Sequence, residues 1–112
     1  MGAALAITAD DFDTEVLQSD IPVLVDFYGN ACPPCRALAP TIDKLAAEYD
    51  GRVKIVKLDT AADENFEISV AHQLSSIPTL VYYKGGEVVD VQVGFQSQAK
   101  IEDALERVLS AS

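Results

Sequence analysis

A chain of 112 residues with 49% hydrophobic content has the length of one domain and enough apolar material for its core. Its formal net charge of −10 argues against the basic face that nucleic acid or an anionic membrane would require. Two cysteines are too few for a disulfide scaffold. The expectation is a single domain over residues 1–112 whose acidity is a solvated surface.

At the N-terminus, MGAALAITADD carries no Lys or Arg, and its short apolar run gives way to acidic residues. That is the pattern of neither a secretory signal nor a membrane span, so a cytoplasmic location is expected. Within it, LAIT predicts a short first strand. ADDFDTEVLQS places acidic residues first and then Phe12, Val16 and Leu17 on one face, which predicts a helix. PVLVDFYG is a nearly continuous β-branched and aromatic run, as a buried central strand requires, with Pro22 tolerated at its first position. RALAPTIDKLAAEYDG spaces Leu38, Ile42 and Leu45 for a helix ending at Gly51, with a kink expected at Pro40. RVKIVKLDT alternates as a strand, and DENFEISVAHQL reads as a further helix. PTLVYYKGGEVVDVQVG reads as a hairpin turning at Gly85-Gly86. SQAKIEDALERVL closes the chain with a helix whose apolar face carries Ile101, Ala104, Leu105 and Val108. The order β-α-β-α-β-α-β-β-α predicts an α/β fold: a central mixed five-stranded sheet flanked by four helices. Phe12, Phe27 and Leu80 are expected in its core.

The cysteines sit in DFYGNACPPCRALAP, where the buried strand ends and the long helix begins. Cys32 then falls near the N-cap, and Pro33 and Pro34 occupy the first turn, where a missing N–H breaks no helix bond. The amides of Cys35 and Arg36 are expected to point at Cys32, and with the helix dipole they favour its thiolate. Cys32 is therefore the expected nucleophile and Cys35, further inside, the resolving thiol. A tetrahedral zinc site needs ligands this chain does not offer, since no other cysteine exists and His72 is distant. A cluster bridging two subunits and inert packing are the other readings of the pair, and redox chemistry is preferred.

PVLVDFYGNACPPCRALAP, followed in order by VKIVKLD, SIPTLVYYKGGE and VGF, resembles the thioredoxin family over essentially the whole chain. The resemblance implies the thioredoxin fold and reversible dithiol–disulfide exchange with protein substrates through a Cys32–Cys35 redox couple. It implies no bound cofactor, an external thioredoxin-reductase-like electron donor and a monomer. Asp26 stands inside an apolar strand. By itself this is either a lone buried acid driven toward its neutral form or a strand-end polar group satisfied by backbone. The resemblance makes it the general base for Cys35, with Lys57 of the neighbouring strand as its partner; an exposed strand-end lysine is the other reading of Lys57. It also implies that Pro34, Ile77, Pro78 and Gly94 contact the substrate, with a cis peptide bond before Pro78 and the Ile77 backbone pairing with an extended peptide. His72 is expected at a surface or helix end, with no catalytic part.

The chain departs from the family pattern around the dithiol. Ala31 and Tyr28 stand where Trp is usual, the chain has no Trp, Pro33 replaces the usual Gly, and Phe95 replaces a small residue. These changes bear on partners and redox potential, with Phe95 a candidate to restore apolar surface lost at Ala31. The expected function is a thiol–disulfide oxidoreductase that reduces protein disulfides. The alternatives are a specialised relative with one dedicated partner and a binding module whose thiols are secondary.

Overall fold

The computed structural model describes residues 4–111, in which the strands form one five-stranded sheet in the order β1-β3-β2-β4-β5. These strands are β1 (Leu5–Ile7), β2 (Val23–Tyr28), β3 (Lys54–Asp59), β4 (Thr79–Lys84) and β5 (Glu87–Val93). The helices are α1 (Ala9–Phe12), α2 (Pro33–Glu48), α3 (Phe66–Ala71) and α4 (Gln98–Ser110). β1, β3 and β2 run parallel, while β4 lies antiparallel to β2 and β5 antiparallel to β4. The sheet is mixed, in the predicted element order.

β2 is central because its apolar run is buried on both faces, and alternate side chains serve two separate cores. Leu24 joins Leu80 and Tyr82 of β4 beneath Leu38, Ile42 and Leu45 of α2 and Ile101, Leu105 and Val108 of α4. Val23, Val25 and Phe27 face the other way, with Val81, Tyr83, Phe12 and Val16, against which Ile68 and Leu74 pack. Asp26 follows Val25, so the pleat turns it toward α2. Phe12, Phe27 and Leu80 are all buried. The hairpin turns at Gly85 (φ 62°) and Gly86 (φ 81°), a left-handed pair that suits a two-residue connection.

Two predicted helices differ from the sequence pattern. The first runs as α1 only to Phe12 and then continues as a π-helical turn over Asp13–Leu17, closed by the Gln18 N–H on the Asp13 carbonyl. The helix predicted over 63–74 divides into a 3₁₀ turn, Asp63–Asn65, and the short α3. Asn65 causes the break, because its buried side chain donates to the Asp59 carbonyl (2.8 Å) and accepts from the Ala9 N–H (2.7 Å). Such long-range bonds hold the backbone where a helix would not put it. Further on, α2 passes through Pro40 without ending there and stops at Glu48, ahead of Gly51.

Leu105 is completely buried where α4 meets the sheet. Leu105→Ala should lower unfolding stability by about 2–5 kcal/mol, measured by denaturant titration, while the dithiol stays reactive.

Candidate active site

β2 delivers the chain to the dithiol, and α2 fixes its geometry. Cys32 is the N-cap of α2 in extended backbone (φ −132°, ψ 98°), with Pro33 and Pro34 occupying the first turn. Neither proline has an N–H to offer, so the first free donors are Cys35 and Arg36. The Cys35 N–H reaches Cys32 Sγ at 3.2 Å, the place a Ser or Asp oxygen takes at an ordinary N-cap. The Arg36 N–H goes instead to the Cys32 carbonyl at 3.0 Å. The expectation of two amides on the sulfur is therefore corrected to one, because the helix ladder claims the second.

Cys32 and Cys35 are joined as a disulfide with their Cα atoms 5.2 Å apart. Burial does not distinguish them, since both are nearly inaccessible, at 6% and 5%. Their surroundings do. Cys32 Sγ faces the Ile77 carbonyl oxygen at 3.8 Å, on the side of the loop before β4. Cys35 instead lines a cavity of about 240 Å³ together with Asp26, Tyr28, Ala39, Asp43 and Lys57.

The Ile77 loop is held from several directions. The Ile77–Pro78 peptide bond is cis. The Thr79 hydroxyl donates to the Ser76 carbonyl at 2.7 Å, and the Gly94 N–H donates to the Pro78 carbonyl at 2.8 Å. Gly94 adopts φ 86°, left-handed backbone that favours glycine. Gly29 allows the loop to approach the end of β2, as a Cβ there would lie 2.6 Å from Ile77 Cδ1. Pro34 is exposed, Ile77 is half-buried, and Pro78 is buried. Ala31, where a Trp is usual, is exposed, and Phe95 is 54% exposed beside Gly94.

Asp26 is the electrostatic centre of the cavity. It is 4% exposed, and its Oδ1 is buried with no hydrogen-bond partner among the described residues. Burial pushes its carboxyl up from 3.8 to about 7, opposed by the Lys57 ammonium and reinforced by the Asp43 carboxylate. Lys57 is the register neighbour of Asp26 on β3 and shares its cavity. Among the described residues, however, the ion pairs are Lys54–Glu15 and Arg107–Asp90, so Lys57 acts on Asp26 across space and not through contact.

Asp43 and Gly29 did not emerge from the sequence. A signal for Asp43 existed, because Cys35, Ala39, Ile42 and Asp43 follow the helical spacing that puts them on one face. Gly29 had none, since its close neighbour Ile77 is remote in the chain. His72 does lie at a helix end, as the cap of α3, but it is half-buried against aromatic rings and not a surface residue.

A helix-capping cysteine, a second cysteine one turn on, and a buried acid beside the second define a dithiol oxidoreductase site. The Thioredoxin family model matches residues 3–107. Thioredoxin 1 of Nostoc sp. is 44% identical over 109 residues, covering 97% of this chain and all of that protein. Thioredoxin C-2 of Corynebacterium nephridii is 42% identical over 102 residues, 90% of this chain and 93% of that one. The thioredoxin of Staphylococcus epidermidis is 40% identical over 107 residues, 96% and 99% of the two chains. This chain belongs to the thioredoxin family. It is a thiol–disulfide oxidoreductase acting on protein disulfides through its redox-active Cys32–Cys35 pair.

A carboxyl whose folded pKa is raised costs nothing below its unfolded value; its penalty grows as pH rises from that value to the folded one and is constant above it. Between pH 4 and 7 the native protein should therefore lose up to roughly 4 kcal/mol of stability that Asp26→Asn keeps. Paired denaturant titrations at pH 4 and pH 8 measure this. A stability gap independent of pH would contradict the assignment of a neutral, buried acid.

Proposed function

We propose that the protein is a monomeric, single-domain, cytoplasmic reductant of protein disulfides, with Cys32 as nucleophile and Cys35 as resolving thiol. The Cys32 thiolate attacks one sulfur of the substrate disulfide, forming a mixed disulfide and releasing the other sulfur as a thiolate. Cys35 then loses its proton to Asp26 and attacks Cys32 Sγ. The second substrate thiolate leaves, and Cys32–Cys35 is oxidised by two electrons. A separate dithiol donor, of the thioredoxin-reductase kind, restores the reduced pair. Reducing work of this sort suits the cytosol, where thiols are kept reduced.

The observation that supports this division of labour is the different surroundings of the two sulfurs. Cys32 looks toward the Ile77 carbonyl, where an extended peptide can lie, and Cys35 looks into the cavity of Asp26. A carboxyl poised at about 7 can take a proton from a thiol and return it near neutral pH. Lys57 is assigned to favour the ionised form of Asp26. Pro34, Ile77, Pro78 and Gly94 are assigned to the substrate face, with the Ile77 backbone pairing to the peptide in the manner of an added strand. A net charge of −10 disfavours nucleic acid and membrane as partners.

Cys35→Ser should trap substrate proteins as mixed disulfides on Cys32, visible as thiol-sensitive adducts on gels, and Cys32→Ser should trap none. Adducts forming through Cys35 in Cys32→Ser and not through Cys32 in Cys35→Ser would reverse the roles. The midpoint potential of the couple is expected near the thioredoxin value of about −270 mV, and a value of −180 to −120 mV would replace the reductant with an isomerase or oxidant.

A further inference from the structure

The segment from α3 to β4 carries the Ile77 carbonyl that faces Cys32; its β4 end is braced by Thr79 and Gly94, but its α3 end has fewer anchors. α3 is six residues long, and Phe66 and Val70 on it point to solvent. Ile68 and Leu74 supply its apolar contacts with the sheet. At this end a polar anchor is His72. Its backbone N–H caps α3 on the Ile68 carbonyl (3.1 Å), and its Nδ1 meets the same carbonyl at 2.8 Å. A carbonyl only accepts, so Nδ1 carries the proton. In the neutral ring Nε2 is then an acceptor, and it takes the hydrogen bond donated by the Tyr83 hydroxyl. Burial pushes the Tyr83 phenol up, which keeps that donor protonated.

The imidazole is also fixed by three rings from three elements. It lies 5.0 Å from Phe27 of β2, 5.4 Å from Phe12 of α1 and 5.9 Å from Tyr83 of β4, measured between centroids. Immediately after it, Gln73 takes left-handed backbone (φ 52°), and the chain turns away toward Ile77, five positions beyond His72. The bond therefore joins the start of the substrate loop to β4, the strand that the loop enters.

We propose that the His72–Tyr83 bond is a clasp that positions the Ile77 strand for protein substrates, making both positioning residues without a role in the thiol chemistry. The inference rests on the reading of Ile77 as substrate-pairing backbone. Without the clasp, a buried hydroxyl or ring nitrogen loses its partner, and the loop samples positions away from Cys32. A protein disulfide, which pairs with the loop, is then captured less well. A small disulfide that reaches Cys32 without the loop is not affected.

The test compares the native protein with Tyr83→Phe, His72→Phe and the double variant, using insulin and hydroxyethyl disulfide as substrates. Tyr83→Phe removes one oxygen and is the mildest probe of the fold. The KM for insulin should rise by about three- to tenfold in each single variant, the value of one net hydrogen bond, and no further in the double. The kcat for insulin and the rate with hydroxyethyl disulfide should stay at native levels. Lower melting temperatures with an unchanged insulin KM would overturn the clasp and leave a purely structural bond. Equal losses on both substrates would overturn it too, placing the damage at the dithiol. Failure of the native protein to reduce insulin would instead overturn the proposed function.

Discussion

The site depends on a carboxyl group kept out of water in the middle of a sheet. Asp26 sits on β2 between residues that supply the two cores, and its Oδ1 finds no partner. Leaving a polar atom of this kind unpaired costs stability, and the cost is tolerable only because the acid can hold its proton. The cavity beneath α2 then links that acid to Cys35 and not to Cys32. What would be a defect in a core designed for stability alone puts a protonatable acid in the same cavity as one of the two cysteines.

Everything else at the site follows from where β2 ends. The strand stops at Tyr28, and α2 begins at Pro33, so Cys32 takes the cap position and Cys35 lies one turn deeper. Two consecutive prolines sharpen this arrangement. They remove two amides from the first turn and leave the Cys35 N–H as the donor on Cys32 Sγ, which ties each cysteine to the other. The opposing wall comes from a different part of the chain, the cis-proline loop, which the Thr79 hydroxyl and the Gly94 N–H brace from either side. A helix terminus and a loop, each rigid for its own reasons, meet at the sulfur.

The elements legible in the sequence were those whose residues answer to local rules. The unbroken run of β2, the Gly85-Gly86 turn and the apolar face of α4 needed no distant partner to be read. Asp26 was legible as an anomaly, a charge in an apolar strand, but its effective acidity depends first on how deeply it is buried and then on Lys57 and Asp43, which only the packed helix and sheet bring together. The helix of the α3 region is shorter than its sequence pattern because Asn65 bonds to Ala9 and Asp59, contacts that no local pattern announces. His72 shows the same limit, since its partners Phe12, Phe27 and Tyr83 come from three separate elements.

The departures from the family pattern gain meaning from the edge of the sheet. β5 is an edge strand with Val88, Val89, Val91 and Val93 about half exposed, a surface that would ordinarily invite another strand. Side chains in and just after the strand take up part of the backbone. The Asp90 carboxylate accepts the Val91 N–H at 2.8 Å, and the Gln96 amide donates to the Val93 carbonyl at 3.1 Å. Part of the backbone at this edge is thereby already engaged, which weakens it as a place for strand addition. Ala31 and Phe95 are both exposed, but only Phe95 is large and apolar, and Gly94 beside it is bonded to Pro78, so the large exposed ring of this region comes from the loop after β5 and not from the residue before Cys32.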